Sequence, residues 1–126
     1  MADSTSLEAT YAAYIAAINA HDWDGVASFF APQITHNAHV FSALDLAHYI
    51  EHTIAECPGL RFELDLVIAD ARQRTLAARI RFVKSKGKDV QWTPEYVSEH
   101  VFYEFDEESK ITRVWSMVEQ RDSRAI

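Results

Sequence analysis

Apolar residues in the first half of the chain recur at helical spacing. Leu7, Tyr11, Ile15 and Ile18 form one stripe with Tyr14 beside it, which predicts an amphipathic helix ending near Asn19. Thr5 and Glu8 have capping-box spacing at its start. Asp22 can cap a second, short helix through Phe30, which Pro32 stops. Gln33 to Phe41 predicts one short strand. Ser42 then opens a third helix with the apolar arc Leu46, Ala47, Ile50, Ile54 and Cys57, closed by Pro58-Gly59. From there the period changes to two. Phe62, Leu64, Leu66 and Ile68 alternate with Arg61, Glu63 and Asp65, and Leu76, Ala78, Ile80 and Phe82 alternate again. Val90 to Phe105 predicts a long strand bent or bulged at Pro94, and Ile111 to Glu119 the last one. Helices followed by a meander predict an α+β fold, with three N-terminal helices packed in the concave face of a curved, mostly antiparallel sheet. A chain of 126 residues makes this one domain, 1–126, with its core at about 7–119.

The last two strands are apolar on both parities. Val101, Tyr103 and Phe105 alternate with Phe102, and Trp115 and Met117 with Val114 and Val118. Three helices cover only one face of a sheet, so the other is expected to meet a second copy in a two-fold homodimer. With 48% hydrophobic and 25% charged residues, the composition is that of a soluble globular protein. The formal charge of −7 argues against nucleic-acid and anionic-membrane partners, which reward clustered positive charge. No apolar run approaches the ~20 residues of a membrane span, and residues 1–6 have no signal-peptide pattern. A lone cysteine, Cys57, fits a reducing, cytoplasmic setting. Three glycines cannot build a phosphate cradle, and no G-x-S-x-G elbow occurs.

Three local strings, in their order and spacing, carry a resemblance. They are Tyr14-Ile15-Ala16-Ala17-Ile18-Asn19-Ala20-His21-Asp22-Trp23, Ile34-Thr35-His36-Asn37, and Lys110-Ile111-Thr112-Arg113-Val114-Trp115. The chain resembles the SnoaL-like polyketide cyclases of the nuclear transport factor two-like superfamily, whose fold is a cone-shaped, cystatin-like α+β barrel. The resemblance implies an apolar pocket open at one end and a cofactor-independent enzyme, an isomerase or cyclase. It further implies acid/base cyclisation or isomerisation, or else dehydration or hydrolysis, of a hydrophobic polyketide or terpenoid-like metabolite in secondary metabolism. The alternatives on the same scaffold are a non-catalytic binding or dimerisation module, or an epoxide-hydrolase-like or ketosteroid-isomerase-like activity. Each borrowed mechanism lacks an acid here. Ser116 stands where such cyclases carry an acidic residue after the Trp. Aligned on Arg74-Thr75-Leu76, the epoxide-hydrolase pattern keeps Arg79 and Glu119 but has Arg81 in place of its first Asp. The isomerase Asp is replaced within His36-Asn37-Ala38-His39.

Glu119 shares parity with Ile111, Trp115 and Met117, and is expected to face the core with a raised pKa suited to general acid/base work. If Phe105 pairs with Ile111 in simple register, Glu99 pairs with Met117 and lies roughly 7–8 Å from Glu119, diagonally on one face. His36 is a candidate proton carrier, with His39 outside, and Asn37 could hydrogen-bond a carbonyl or enolate oxygen. Tyr14 and Tyr11 could donate to an oxyanion. Trp23, Phe29, Trp92, Val101, Tyr103, Trp115 and Met117 are expected to wall the substrate site. Alternation sends Arg79 and Arg81 outward, whereas the resemblance sends Arg79 inward as a substrate ligand. His48-Tyr49-Ile50-Glu51-His52 matches H-x-x-E-H but lies opposite the apolar arc, so it is read as a chance match, with no metal expected.

Overall fold

The first helix, α1 (Ser4–Asn19), forms because its apolar stripe is continuous. Leu7, Tyr11, Tyr14, Ile15 and Ile18 are each at most 5% exposed. In this computed structural model, which describes residues 4–84 and 96–120, two further helices are α2 (Trp23–Ser28) and α3 (Ala43–Ala55). Asp22 and Ser42 cap them as expected: the Gly25 and Asp45 N–H groups donate to Asp22 Oδ1 and Ser42 Oγ at 3.0 and 3.1 Å. α2 ends before Pro32, which lies instead inside the first strand. The expected single strand at Gln33 to Phe41 is a hairpin of β1 (Phe30–His36) and β2 (His39–Ser42). Two strands therefore separate α2 from α3, so the three helices do not all precede the sheet.

The remaining strands are β3 (Leu60–Asp70), β4 (Thr75–Lys84), β5 (Tyr96–Phe105) and β6 (Ile111–Gln120). They complete a curved six-stranded sheet in the order β2-β1-β6-β5-β4-β3, antiparallel except where β1 runs parallel to β6. The β1–β6 register jumps between Phe30↔Ile111 and Thr35↔Arg113. Pro32, which has no N–H to donate, lies in that gap. The expected bend at Pro94 and the expected wall residue Trp92 lie outside the described residues. Among the described residues, no helix is long and apolar enough to cross a membrane.

Two bulges decide which side chains face the helices. In β3 the pairing passes from Leu64↔Ile80 to Leu66↔Arg79, so Asp65 is an extra residue. Phe62, Leu64, Val67 and Ala69 pack on the core, while Leu66 and Ile68 are exposed, contrary to unbroken alternation. In the β5–β6 ladder Phe105 pairs with Ile111 but Glu104 with Arg113, which leaves Thr112 extra. Ile111 and Val114 are consequently both buried, and the residues from Arg113 to Glu119 are on the opposite face from that expected.

One side-chain clamp joins the two layers. The Asn19 amide at the end of α1 donates to Phe62 O and accepts from Phe62 N–H, both at 2.8 Å. It thereby acts as a strand partner for the outer edge of β3. Asn19→Ala is expected to lower the unfolding free energy by about 1–3 kcal/mol in a urea titration, because both Phe62 groups lose a partner in a half-buried place. An unchanged midpoint would show that solvent replaces the amide without penalty.

Candidate active site

Between α1, α3 and the inner face of the sheet lies a cavity of about 490 Å³, within the usual range for small-molecule sites. Its walls are mainly apolar: Ile15 and Ile18 from α1, Leu46 and Ile50 from α3, and Ile80 and Phe82 from β4 are among them. The polar groups come from several elements. Tyr14 projects from α1, His36 and Asn37 from β1 and its turn, Glu99 and Tyr103 from β5, and Ser116 from β6. Tyr49 and Thr53 of α3 and the exposed Glu56 just after it also line the cavity.

Glu99 is the acid enclosed here. The bulge at Thr112 sets its partner as Val118, with Val101 opposite Ser116 on the same inward face. Glu99 is half-buried and lines the cavity. Burial pushes its pKa above the ordinary carboxylate range, and a hydrogen bond donated by Ser116 Oγ to Glu99 Oε2 opposes that shift in part. The Ser116 N–H in turn donates to Asn37 Oδ1 at 2.8 Å, and the Asn37 N–H donates to Val114 O at 2.8 Å. Asn37 holds the left-handed conformation, φ 52°, that an asparagine adopts at modest cost.

Three tyrosines stand beside the acid. The Tyr11 hydroxyl donates to Tyr103 Oη at 3.1 Å, and their rings are 4.8 Å apart. The Tyr14 ring meets Tyr103 edge-on at 6.2 Å, and its hydroxyl has no partner among the described residues. Burial, reinforced by the charge of Glu99, pushes all three phenols above their usual pKa, so they are neutral donors. His36 packs against Phe41 and Tyr49, each at 6.3 Å. Burial first, then the nearby His39, lowers its pKa and favours neutral imidazole.

Of the residues named from sequence, the fold brings Tyr14, His36, Asn37, Glu99 and Tyr103 to one cavity. Glu119 is not among them. It is exposed on the outer face, where it pairs with Ser98 and accepts from Ser98 Oγ at 3.1 Å. Trp115 and Met117, expected as cavity wall, are likewise outside, 41% and 72% exposed, because the Thr112 bulge reversed the parity. The proposed Glu99–Glu119 neighbourhood therefore does not exist. Val101 is buried under the inner face without lining the cavity, and Phe29 packs edge-on to Tyr14 at 5.7 Å. Trp23 stacks on His21 at 5.7 Å beside the end of α3, in a separate depression. Arg79 points outward, as alternation indicated, and its Nε is 2.7 Å from Asp65 Oδ2. His39 is exposed. Cys57 lines the cavity rather than filling the core. His48 and His52 are on the solvent side of α3, with His52 3.4 Å from Glu56.

Sequence reasoning treated Ser116 only as a missing acid and overlooked Tyr49, Phe62 and Phe82 as wall. The alternation of β4 already pointed Phe82 inward. Nothing in the local pattern could place Ser116 against Glu99, because that contact depends on the bulge.

The helices and the curved sheet thus form an α+β fold around a mainly apolar cavity that Glu99 lines. The model of the SnoaL-like domain matches residues 11–114, and the chain belongs to that family. A SnoaL-like polyketide cyclase from Agrobacterium tumefaciens is 29% identical, with a TM-score of 0.74 over 94% of this chain and 93% of that one. A protein of unknown function with a cystatin-like fold from Methylobium petroleophilum is 20% identical, with a TM-score of 0.73 over 98% and 82% of the two chains. A proposed ketosteroid isomerase from Kribbella flavida is 15% identical, with a TM-score of 0.72 over 98% and 85%. At such identity the last two show the fold alone. No curated protein matches the sequence significantly.

A carboxyl whose pKa is raised by folding favours the folded state below the unfolded-state pKa, and that advantage is lost as pH rises through the folded-state value. Glu99→Gln cannot ionise. Its melting temperature is expected to exceed that of the parent at about pH 8, with the gain shrinking toward about pH 4. A pH-independent difference between the two melting curves would show that Glu99 titrates as it does in water.

Proposed function

We propose that the chain is a cofactor-independent enzyme that isomerises or cyclises a hydrophobic, uncharged carbonyl compound of polyketide or terpenoid type, with Glu99 as the proton carrier. The observation that carries this reading is the enclosed Glu99 carboxyl, with one oxygen tied to Ser116 and the other without a hydrogen-bond partner among the described residues. Membership of the SnoaL-like family supports the substrate class, since one similar structure is a polyketide cyclase.

In the proposed chemistry, ionised Glu99 takes a proton from the carbon beside the substrate carbonyl. The electron pair of the broken C–H bond forms the enolate C=C bond, the carbonyl π pair moves to oxygen, and the neutral Tyr14 hydroxyl donates to that oxyanion. Protonated Glu99 returns the proton at another carbon, which completes an isomerisation. Alternatively, the enolate carbon attacks a second carbonyl, the new C–C bond closes a ring, and Glu99 protonates the resulting alkoxide. A raised carboxyl pKa suits both halves of the cycle, since the group must give the proton back. Phe62 and Phe82, 5.2 Å apart, and the aliphatic walls hold the substrate body and exclude water from the enolate.

Proton exchange with solvent tests the chemistry before the natural substrate is known. In heavy water, the protein is expected to accelerate loss of the α-proton NMR signals of 2-tetralone or related neutral cyclic ketones. Glu99→Gln is expected to slow this about 100-fold or more, while Glu119→Gln, on the outer face, leaves it unchanged. A Glu99→Gln variant that exchanges at the parent rate overturns the assignment. Binding across such a panel without exchange favours a ligand-binding module.

We also propose that two copies pair through the outer sheet face. Leu66, Ile68, Phe102, Trp115 and Met117 are 41–72% exposed there, a patch of large apolar side chains rarely left open to water. Charges of both signs border it, with Arg79 beside Asp65 and Arg113 lying over Trp115 at 5.0 Å, so the face suits a two-fold copy of itself. The chain is expected to sediment as a dimer at micromolar concentration and Phe102→Glu as a monomer. A monomeric parent chain would rule out this pairing.

A further inference from the structure

The hydrogen bonds around Glu99 form a chain that runs across two strands, β5 and β6, and ends on the turn after β1. Asn37, in the turn after β1, grips β6 twice: its N–H donates to Val114 O and its Oδ1 accepts from the Ser116 N–H, both at 2.8 Å. Ser116 thereby has its backbone fixed from one side. Its side chain reaches the other way, to β5, where its hydroxyl donates to Glu99 Oε2. Among the described residues Glu99 Oε1 has no hydrogen-bond partner, and no second polar group holds the carboxyl plane. Without Ser116, rotation about the carboxyl and its preceding bond is limited only by apolar neighbours, which have no directional preference.

We propose that Ser116 is a positioning residue for Glu99, tying down one carboxylate oxygen so that the other is presented to the ligand, and that Asn37 holds Ser116 in place for this task. The proposal rests on Glu99 as the proton carrier for its catalytic consequence, but the tethering is a separate property of the empty protein. A bare hydroxyl on a strand is enough for it, because the backbone that carries the hydroxyl is already immobilised by Asn37. The contact also stabilises the ionised carboxylate against its apolar surroundings, which keeps part of Glu99 available as a base.

The experiment uses the full-length chain labelled with ¹³C at its glutamate carboxyl carbons and titrated by NMR, with the Glu99 signal assigned by its absence in Glu99→Gln. Ser116→Ala is expected to raise the Glu99 titration midpoint, and Ser116→Thr, which keeps the hydroxyl, to restore it. Asn37→Ala is expected to move it upward as well, by less. On 2-tetralone in heavy water, Ser116→Ala is expected to lower kcat about tenfold with KM little changed and to displace the rise of rate with pH upward, again with recovery in Ser116→Thr. Should the alanine variant unfold, Ser116→Cys, a weaker donor of similar size, is expected to raise the midpoint in the same direction. A Glu99 midpoint that stays put or falls in Ser116→Ala overturns the proposal. Exchange activity that survives Glu99→Gln would instead overturn the acid/base role, while the titration still reads whether Ser116 holds the carboxyl.

Discussion

Placing one carboxyl group inside an apolar cup is the constraint on which the functional part of this structure depends. A carboxylate removed from water loses its hydration, and nothing nearby carries a positive charge to compensate among the described residues that line the cavity. Its surroundings answer with neutral donors. Ser116 supplies a hydroxyl directly, and the tyrosines Tyr11, Tyr14 and Tyr103 stay protonated because burial and the acid itself oppose a second negative charge. The result is a carboxyl whose pKa burial raises and the Ser116 hydroxyl partly lowers again.

Small irregularities in the strands decide where that group sits. A single extra residue, Thr112, turns the β6 side chains over, so that Ser116 meets Glu99 inside while Trp115 and Met117 face out. The extra Asp65 in β3 does the same for Leu66 and Ile68. Cup and outer apolar patch are therefore two consequences of the same devices. A bulge costs little in a ladder, yet it reassigns every residue beyond it.

The SnoaL-like family and the cystatin-like fold were legible early, because long elements in a given order tolerate local errors. The cyclase and the proposed isomerase with similar folds show that this architecture does not choose a reaction. In this chain β5 places Glu99 toward the interior, and the β6 position after the Trp holds Ser116, whose hydroxyl donates to that carboxyl from the neighbouring strand.

Periodicity alone determined α1, α3 and β4, because Leu7, Tyr11, Ile15, Ile18, Leu46, Ile54, Leu76 and Ile80 each have one apolar face to bury and no competing arrangement. Residue chemistry and the family resemblance singled out Tyr14, His36, Asn37 and Glu99, with Tyr103 as wall, and the fold gathers them around one cavity. Which acid lies within was decided only in three dimensions. β6 is apolar on both faces, so its side chains offer no preference between Trp115 inward and Ser116 inward. The β5 ladder, with Thr112 left over, made that choice. Local pattern records how often a side chain is apolar. It does not record where a neighbouring strand leaves one residue unpaired, and a period of two makes that single residue decisive.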